Sequence, residues 1–506
     1  MSTGKSIHKV LVANRGEIAI RIFQGCRERG IETVAVHSEA DASAPHRFAA
    51  DESILIGPPS PTESYLKIDR ILAAARETGA DAIHPGYGFL SENSSFAQAV
   101  EDEGLIFIGP TPSQISSMGD KVRARQLMAA ASVPVIPGTE EAIDDPALLQ
   151  LESQRIGFPL LIKAAGGGGG KGIRKVDTVS ELLPAWERTR SEALSAFGDG
   201  RVYLERFVSP ARHIEVQVVG DGTGSVWFLG ERECSLQRNH QKVLEESPSP
   251  VIDEEVRSRL RTAAVAGAAS IQYRGAGTME FLYDEATKDF FFLEMNTRLQ
   301  VEHPVTEMVT GIDLVGMQLD VAQGMTLTHD PDLPRRGWSI EFRICAEDPY
   351  RNFNPSTGQI RALRIPHAPF SRIDGALREG LEITPYYDPM LAKAIVWGED
   401  RKSAVNRLSA LLSRLRIGGI HTTIPLGIEI CKQGWFLDGD FDTRTLEQWL
   451  ADRQQRRTAP TDLQLIAAIV ARHTLSSARS HSSPGKPGGG DWGIAARNAG
   501  VRRNLS

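Results

Sequence analysis

Apolar and polar positions alternate along the chain in two regimes. Up to about residue 108, short apolar runs are separated by stretches with helical spacing. Val10–Ala13 reads as a buried strand, Glu17–Arg29 as a helix stopped by Gly30, and Glu32–Val36 as the next strand. Ile54–Ile56, a helix over Ile68–Thr78, Ala82–His84, a helix over Phe96–Glu103 and Ile106–Ile108 continue the series. That order predicts a parallel sheet covered by helices. No G-x-G-x-x-G follows the first strand, so a dinucleotide site gains little support. His84-Pro85-Gly86-Tyr87-Gly88-Phe89 follows the carboxyl end of a strand, where such sheets place ligands. A ligand loop and a tight structural turn fit it equally.

Past residue 119 the pattern turns to hairpins. A helix starts near Gly119-Asp120-Lys121. Phe158–Lys163 reads as a strand that runs into Gly166–Gly170 and Lys171-Gly172, with Ile173–Val176 as the returning strand. Five successive glycines weaken any regular element. They suit a place where backbone N–H groups approach phosphate oxygens, with Lys163 and Lys171 supplying charge. The match to G-x-x-x-x-G-K is followed by Gly172 and not by Ser or Thr, so this is no Walker A loop. The expectation is a mobile lid over phosphates. Val202–Val208 and Ile214–Val218 follow as strands. Glu205 reads either as an acceptor for an adenine amino group or as a solvated glutamate. Gln237-Arg238-Asn239-His240-Gln241-Lys242 is a cationic stretch suited to an anionic ligand.

Gly277–Leu282 and Asp289–Asn296 read as antiparallel strands around a turn at Asp284–Lys288. A hairpin centred near Thr287 sets Glu280 opposite Glu294. Facing carboxylates are unfavourable unless a cation sits between them. Glu294–Glu302, read as an extended continuation of the apolar run Phe290–Leu293, puts Glu294, Asn296, Arg298, Gln300 and Glu302 on one face. Met295, Thr297, Leu299 and Val301 take the other. The polar face offers oxygen ligands for a hard cation, a guanidinium and a possible base. With the lid and the cationic stretch, it points to ATP-dependent chemistry.

A boundary is expected near Asp330-Pro331, followed by a β-rich region in which Ser339–Cys345 alternates. Arg343 shares its polar face with Glu341, which on the residues alone reads as a surface ion pair worth little. Pro385–Pro389 reads as a turn, Lys402–Arg414 as a helix and Leu463–Arg472 as a short helix. Ser476–Gly490 is linker-like, and Trp492 stands in a basic end that fits a frayed tail or a docking element.

Composition narrows the classes. The 506 residues suffice for roughly three domains. A net charge of -7 and a pI near 6.0 argue against nucleic acid as a partner. The 4 cysteines are scattered, which fits a reducing compartment and neither a disulfide frame nor a zinc site. Neither a signal peptide nor a long apolar run is present, so no membrane is expected and the compartment is expected to be the cytoplasm.

Val12–Ala19, His84–Asn93, the glycine loop, His240–Val243 and Glu294–Pro304 closely resemble biotin carboxylase, the ATP-grasp component of acetyl-CoA, propionyl-CoA and pyruvate carboxylases. The resemblance spans about Lys9 to Leu450. It implies a chain of α/β and α+β class. A pre-ATP-grasp Rossmann-like domain would cover 1–118, and an ATP-grasp core 119–332 with a mobile lid at about 136–207. A β-rich C-terminal domain would cover 333–452, with an extended tail at 453–506. By the same resemblance Lys121, Lys163, Gly169, Gly170, Glu205, Arg206, Phe207, Val208, His213, Gln237 and His240 would surround ATP. Glu280, Glu294 and Asn296 would hold two magnesium (or manganese) ions on the triphosphate. Lys242, Arg298, Gln300 and the Val301 backbone would bind bicarbonate, Glu302 would deprotonate it, and Arg343 would face the enolate oxygen of biotin. Arg206 stands where relatives often carry Lys.

The sequence lacks an Ala-Met-Lys-Met biotin attachment site and a carboxyltransferase region. Biotin is therefore expected on a separate carrier protein, with carboxyltransferase as a further subunit and this ligase as a homodimer. The carboxyltransferase would choose the acyl-CoA or 2-oxo acid; fatty acid metabolism is the setting if the acceptor is acetyl-CoA. Two alternatives stand beside this reading. Another carboxyphosphate-forming ATP-grasp ligase needs no Arg343. A catalytically idle scaffold sits poorly with an intact set of Glu280, Glu294, Asn296, Arg298 and Glu302.

Overall fold

The structure, a computed structural model, describes residues 6–166, 172–327 and 333–456. Gly169, Gly170 and Lys171 lie outside them, as do the expected Leu463–Arg472 helix, the Ser476–Gly490 linker and Trp492. The amino-terminal sheet has five parallel strands in the order Glu52–Gly57, Glu32–Ser38, Lys9–Val12, Ala82–His84, Ile106–Phe107. Alternate residues of the first strand enter different cores. Val10 and Val12 pack with Ile18, Ile22 and Phe23, whereas Leu11 and Ala13 join Ile71, Phe96 and Phe107. Burial on both faces is why this strand reads as an unbroken apolar run. The helices Gly16–Arg27, Ile68–Thr78 and Ser94–Asp102 agree with the pattern, and the last is capped by the Asn93 side chain.

An eight-stranded antiparallel sheet follows, in the order Asp289–Asn296, Arg274–Asp284, Arg212–Asp221, Val226–Arg238, Gln241–Ser247, Trp338–Cys345, Met390–Gly398, Ser371–Gly375. It runs through strands on both sides of residue 330, joined where Gln241–Ser247 pairs with Trp338–Cys345. The residues up to Glu447 form one compact unit; the helix Thr445–Arg456 carries the chain into a second. A separate three-stranded sheet, Ile173–Val176, Leu160–Ala164, Val202–Arg206, carries the helices Pro146–Ile156 and Val179–Phe197. Its apolar cluster, including Leu149, Leu160, Ile162, Trp186 and Leu204, is its own. All four cysteines are free. Among the described residues no helix is long and apolar enough to cross a membrane.

Backbones approach closely where Gly220 lies beside Tyr273. A Cβ on Gly220 would stand 2.1 Å from the Tyr273 carbonyl oxygen. Gly220→Ala is expected to destabilise the protein by about 1–3 kcal/mol, since neither strand can retreat without breaking its ladder. The check is a lower urea midpoint for the variant.

Candidate functional site

The expected pairing of Glu280 with Glu294 is present, by a route the hairpin rule alone does not give. From Asp284 and Asp289 to Phe281 and Phe292 the two strands pair in the register set by their turn. A bulge at Leu293 then shifts the register by one residue and brings Glu280 opposite Glu294. The row continues across the sheet, since Glu280 pairs with Glu215 and Glu215 with Arg232. Three carboxylates on adjacent strands repel unless cations are interleaved. Here Lys121 Nζ donates to Glu294 Oε2 at 2.5 Å. His213 Nε2 lies 3.1 Å from Glu280 Oε2, and the Lys242 ammonium bridges Glu215, Glu280 and Glu302. Arg232, fully buried, grips Glu215 Oε2 at 3.1 Å and Gln300 Oε1 at 2.8 Å.

Glu280 and Glu294 form part of the wall of a cavity of about 620 Å³, with Glu215 and Arg232 behind them. Lys121, Lys163, His213, Gln237, His240, Lys242, Glu280, Glu294, Asn296, Arg298, Gln300, Val301, Glu302 and Arg343 all line it. The extended reading of Glu294–Glu302 needs correction. The strand ends at Asn296, the chain bends at Arg298, and Val301–Glu302 form a turn into the helix His303–Thr310. Strict two-face alternation therefore stops at Asn296, and Val301 lines the cavity with its polar neighbours.

Arg343 is not a surface group paired with Glu341. Glu341 is fully buried, and Arg343 reaches across its strand to Glu245 Oε1 at 2.6 Å and Glu302 Oε2 at 3.0 Å. The solvated reading of Glu205 also fails. It is 3% exposed and accepts from Lys163 Nζ at 2.5 Å and Arg125 Nη1 at 3.2 Å. Glu205, Arg206, Phe207 and Val208 do not themselves line the cavity; Glu205 adjoins it through Lys163. The His84–Phe89 segment is a structural turn. Gly86 N–H donates to the buried His84 Nδ1, Asn14 Nδ2 donates to the carbonyls of Pro85 and Tyr87, and the Tyr87 hydroxyl meets Glu17. Among the neighbouring residues that sequence reading passed over, Glu215, Arg232 and Glu92 matter most. Glu92 Oε2 accepts from Arg298 Nε at 2.8 Å. The signal for Glu215 was present in the strand over Ile214–Val218, where Glu215 and Gln217 alternate with apolar residues.

Burial pushes the Glu302 carboxyl up, but the Lys242 and Arg343 charges outweigh it and hold the group below the usual carboxylate range. Glu280 is held far below that range against the same burial, by Lys242 and His213. His213 loses charge to burial and regains it from Glu280 and Glu215, ending at about 9. Lys242 is burdened by burial and yet raised well above its ordinary value by Glu215, Glu280 and Glu302. At neutral pH the wall is thus an array of ionised carboxylates and cations, able to bind anion and cation side by side.

Glu280 and Glu294 supply carboxylate oxygens, the ligands of a hard divalent cation, and Asn296 adds an amide oxygen. Both carboxylates now accept from ammonium groups, so a cation in their place meets ready-made donors. Glu294→Ala is expected to raise the magnesium concentration for half-maximal activity by about tenfold or more; a magnesium titration at saturating nucleotide checks it.

Three family models match consecutive stretches: the biotin carboxylase N-terminal domain over 6–115, the carbamoyl-phosphate synthase L chain ATP-binding domain over 120–330, and the biotin carboxylase C-terminal domain over 341–448. Biotin carboxylase 1 of Bacillus subtilis is 48% identical over 444 residues, covering 88% of this chain and 99% of that one. The biotin carboxylase of Campylobacter jejuni, solved as a β-γ-ATP complex, superposes with a TM-score of 0.85 at 44% identity, over 88% of this chain and 99% of that one. The biotin carboxylase domain dimer of Hydrogenobacter thermophilus 2-oxoglutarate carboxylase, solved with MgADP and bicarbonate, gives 0.84 at 46% identity, over 88% and 98%. A single wall of alternating carboxylates and cations, in a fold shared over nearly the whole length of these enzymes, leaves one conclusion: this chain belongs to the biotin carboxylase family.

Proposed function

We propose that the chain catalyses the ATP- and magnesium-dependent carboxylation of biotin by bicarbonate, the first half-reaction of a biotin-dependent carboxylase. The observation that carries this is the placement of Lys242, Glu302 and Arg343 in one bonded chain along the cavity that also holds the Glu280–Glu294 pair. Lys121, Lys163, His213, Gln237 and His240 bind the nucleotide, as does the Glu205–Val208 segment; Gly169 and Gly170, outside the described residues, are assigned to it by the family resemblance alone. Magnesium, when bound by Glu280, Glu294 and Asn296, supplies charge neutralisation at the triphosphate.

Lys242, Arg298, Gln300 and the Val301 backbone orient bicarbonate. Glu302 takes its proton, and the freed oxygen attacks the γ-phosphorus as ADP leaves. The carboxyphosphate so formed breaks into CO2 and phosphate. Phosphate removes the N1′ proton of biotin, N1′ attacks CO2, and Arg343 stabilises the developing enolate oxygen. Domains at 1–118, 119–332 and 333–452 with a tail at 453–506, biotin on a separate carrier, a carboxyltransferase partner and a homodimer complete the proposal. The three matched model ranges and the dimer of the Hydrogenobacter relative support it.

The test is ADP release by the purified chain with magnesium, with and without bicarbonate and free biotin. Turnover that needs bicarbonate and rises with biotin is expected. Bicarbonate-dependent turnover indifferent to biotin would indicate a different carboxyphosphate ligase, and tight ATP binding without turnover an idle scaffold.

A further inference from the structure

His303 and Lys393 stand directly behind the turn that carries Val301 and Glu302, and both side chains are 0% exposed. His303 Nδ1 donates to the Gln300 carbonyl at 2.8 Å. Lys393 Nζ donates to the next carbonyl, that of Val301, also at 2.8 Å. The Gln300 carbonyl also accepts from the His303 backbone N–H at 3.3 Å, longer than the ring contact. Two consecutive peptide planes are thus each held by a buried side-chain donor.

A trans peptide is planar, with its C=O and N–H directed to opposite sides. Holding the Gln300 carbonyl therefore aims the Val301 N–H, and holding the Val301 carbonyl aims the Glu302 N–H. The two carbonyls are taken from behind, while Gln300, Val301 and Glu302 line the cavity in front. A pair of fixed N–H groups beside Lys242 and Arg298 is a cradle for a small oxyanion.

Each donor is itself fixed. The Lys393 ammonium lies 3.3 Å from Glu17 Oε1 and 3.9 Å from Asp374 Oδ2, on the first helix and on the Ser371–Gly375 strand. Its charge is thus compensated without the carbonyl, which leaves the contact to Val301 as a matter of orientation. His303 faces a carbonyl through Nδ1, so that nitrogen carries the proton. Its Nε2 has no hydrogen-bond partner. Burial, with the charges of Lys393, Arg21 and Arg372 nearby, keeps the ring neutral by pushing its pKa well below the usual value.

We propose that His303 and Lys393 are positioning residues which aim the Val301 and Glu302 N–H groups into the cavity and thereby set the hold on bicarbonate. This rests on reading the 300–302 turn as the bicarbonate cradle. The telling comparison is His303→Leu against His303→Asn, because the Asn amide can stand where Nδ1–H stood and Leu fills the space without a donor. His303→Leu is expected to raise the KM for bicarbonate about tenfold while the KM for ATP stays near the wild-type value. His303→Asn is expected to keep both near wild type. A packing role would reverse the order, since Asn is the smaller and more polar replacement.

Lys393→Met is expected to match His303→Leu. It leaves Glu17 without its cation, while Asp374 keeps Arg372 at 2.6 Å, so the His303 pair decides the matter should that variant not fold. An unchanged bicarbonate KM in His303→Leu, or an equal loss in both His303 variants, overturns the proposal alone. A wild-type chain whose ADP release ignores bicarbonate overturns the functional reading and this proposal with it.

Discussion

Glu302→Gln is expected to lower bicarbonate- and biotin-dependent ADP release by about 10²–10⁴-fold, the usual loss when a positioned base is removed. The carboxylate is 1% exposed, with Oε1 at 2.8 Å from Lys242 Nζ and Oε2 at 3.0 Å from Arg343 Nη2. Lys242 and Arg343 keep it ionised at neutral pH, so it enters the cycle able to accept a proton. The amide preserves shape and one acceptor but takes no proton. It also leaves two cations beside a neutral group, which strengthens neither proton removal nor the orientation of Arg343. The measurement is steady-state ADP release with saturating bicarbonate, with and without biotin. Activity within about threefold of wild type would remove Glu302 from the role of base, since general-base losses run far larger.

The second large effect concerns stability. Arg232→Leu is expected to cost about 3–5 kcal/mol, because it strips the partner from a buried carboxylate. Arg232 donates to Glu215, Gln217, Thr278, Gln300 and Thr306, drawn from two strands, the 300–302 turn and the helix His303–Thr310. Glu215 is 0% exposed and would keep only Lys242 and His213 as counter-charges. The urea midpoint should fall steeply. A midpoint within experimental error of wild type would show that the glutamate row does not depend on this guanidinium.

Most of the fold was legible because its elements bury apolar faces with a clear period. The helix Ile68–Thr78 and the strand Ala82–His84 fall where the pattern puts them. The site was legible for a different reason: its charges repeat along strand faces, so Glu280 and Glu294 could be paired by counting from the turn. That count gave the correct partners although the turn itself sets another register, because the bulge at Leu293 restores it. Nothing local marks such a bulge, since Leu293 is apolar like its neighbours. Arg343 was ambiguous for the opposite reason. Alternation says which residues share a face, and only the tertiary arrangement says that Glu245 and Glu302 lie beyond that face. Arg232 was missed because one arginine among glutamates looks like a solvated strand until the strands on either side of it are in place.

The strand pairing between Gln241–Ser247 and Trp338–Cys345 bears on how such an enzyme can be cut and recombined. A fragment ending near residue 330 would bare the Gln241–Ser247 edge, a row of unpaired N–H and C=O groups ready to join another copy. Glu245 would lose Arg343 in the same cut. Grafting a foreign carboxyl-terminal region onto this chain would therefore have to match an edge strand residue for residue, with a guanidinium in register. The unit to be kept whole is the sheet, which pairs strands from both sides of residue 330 directly.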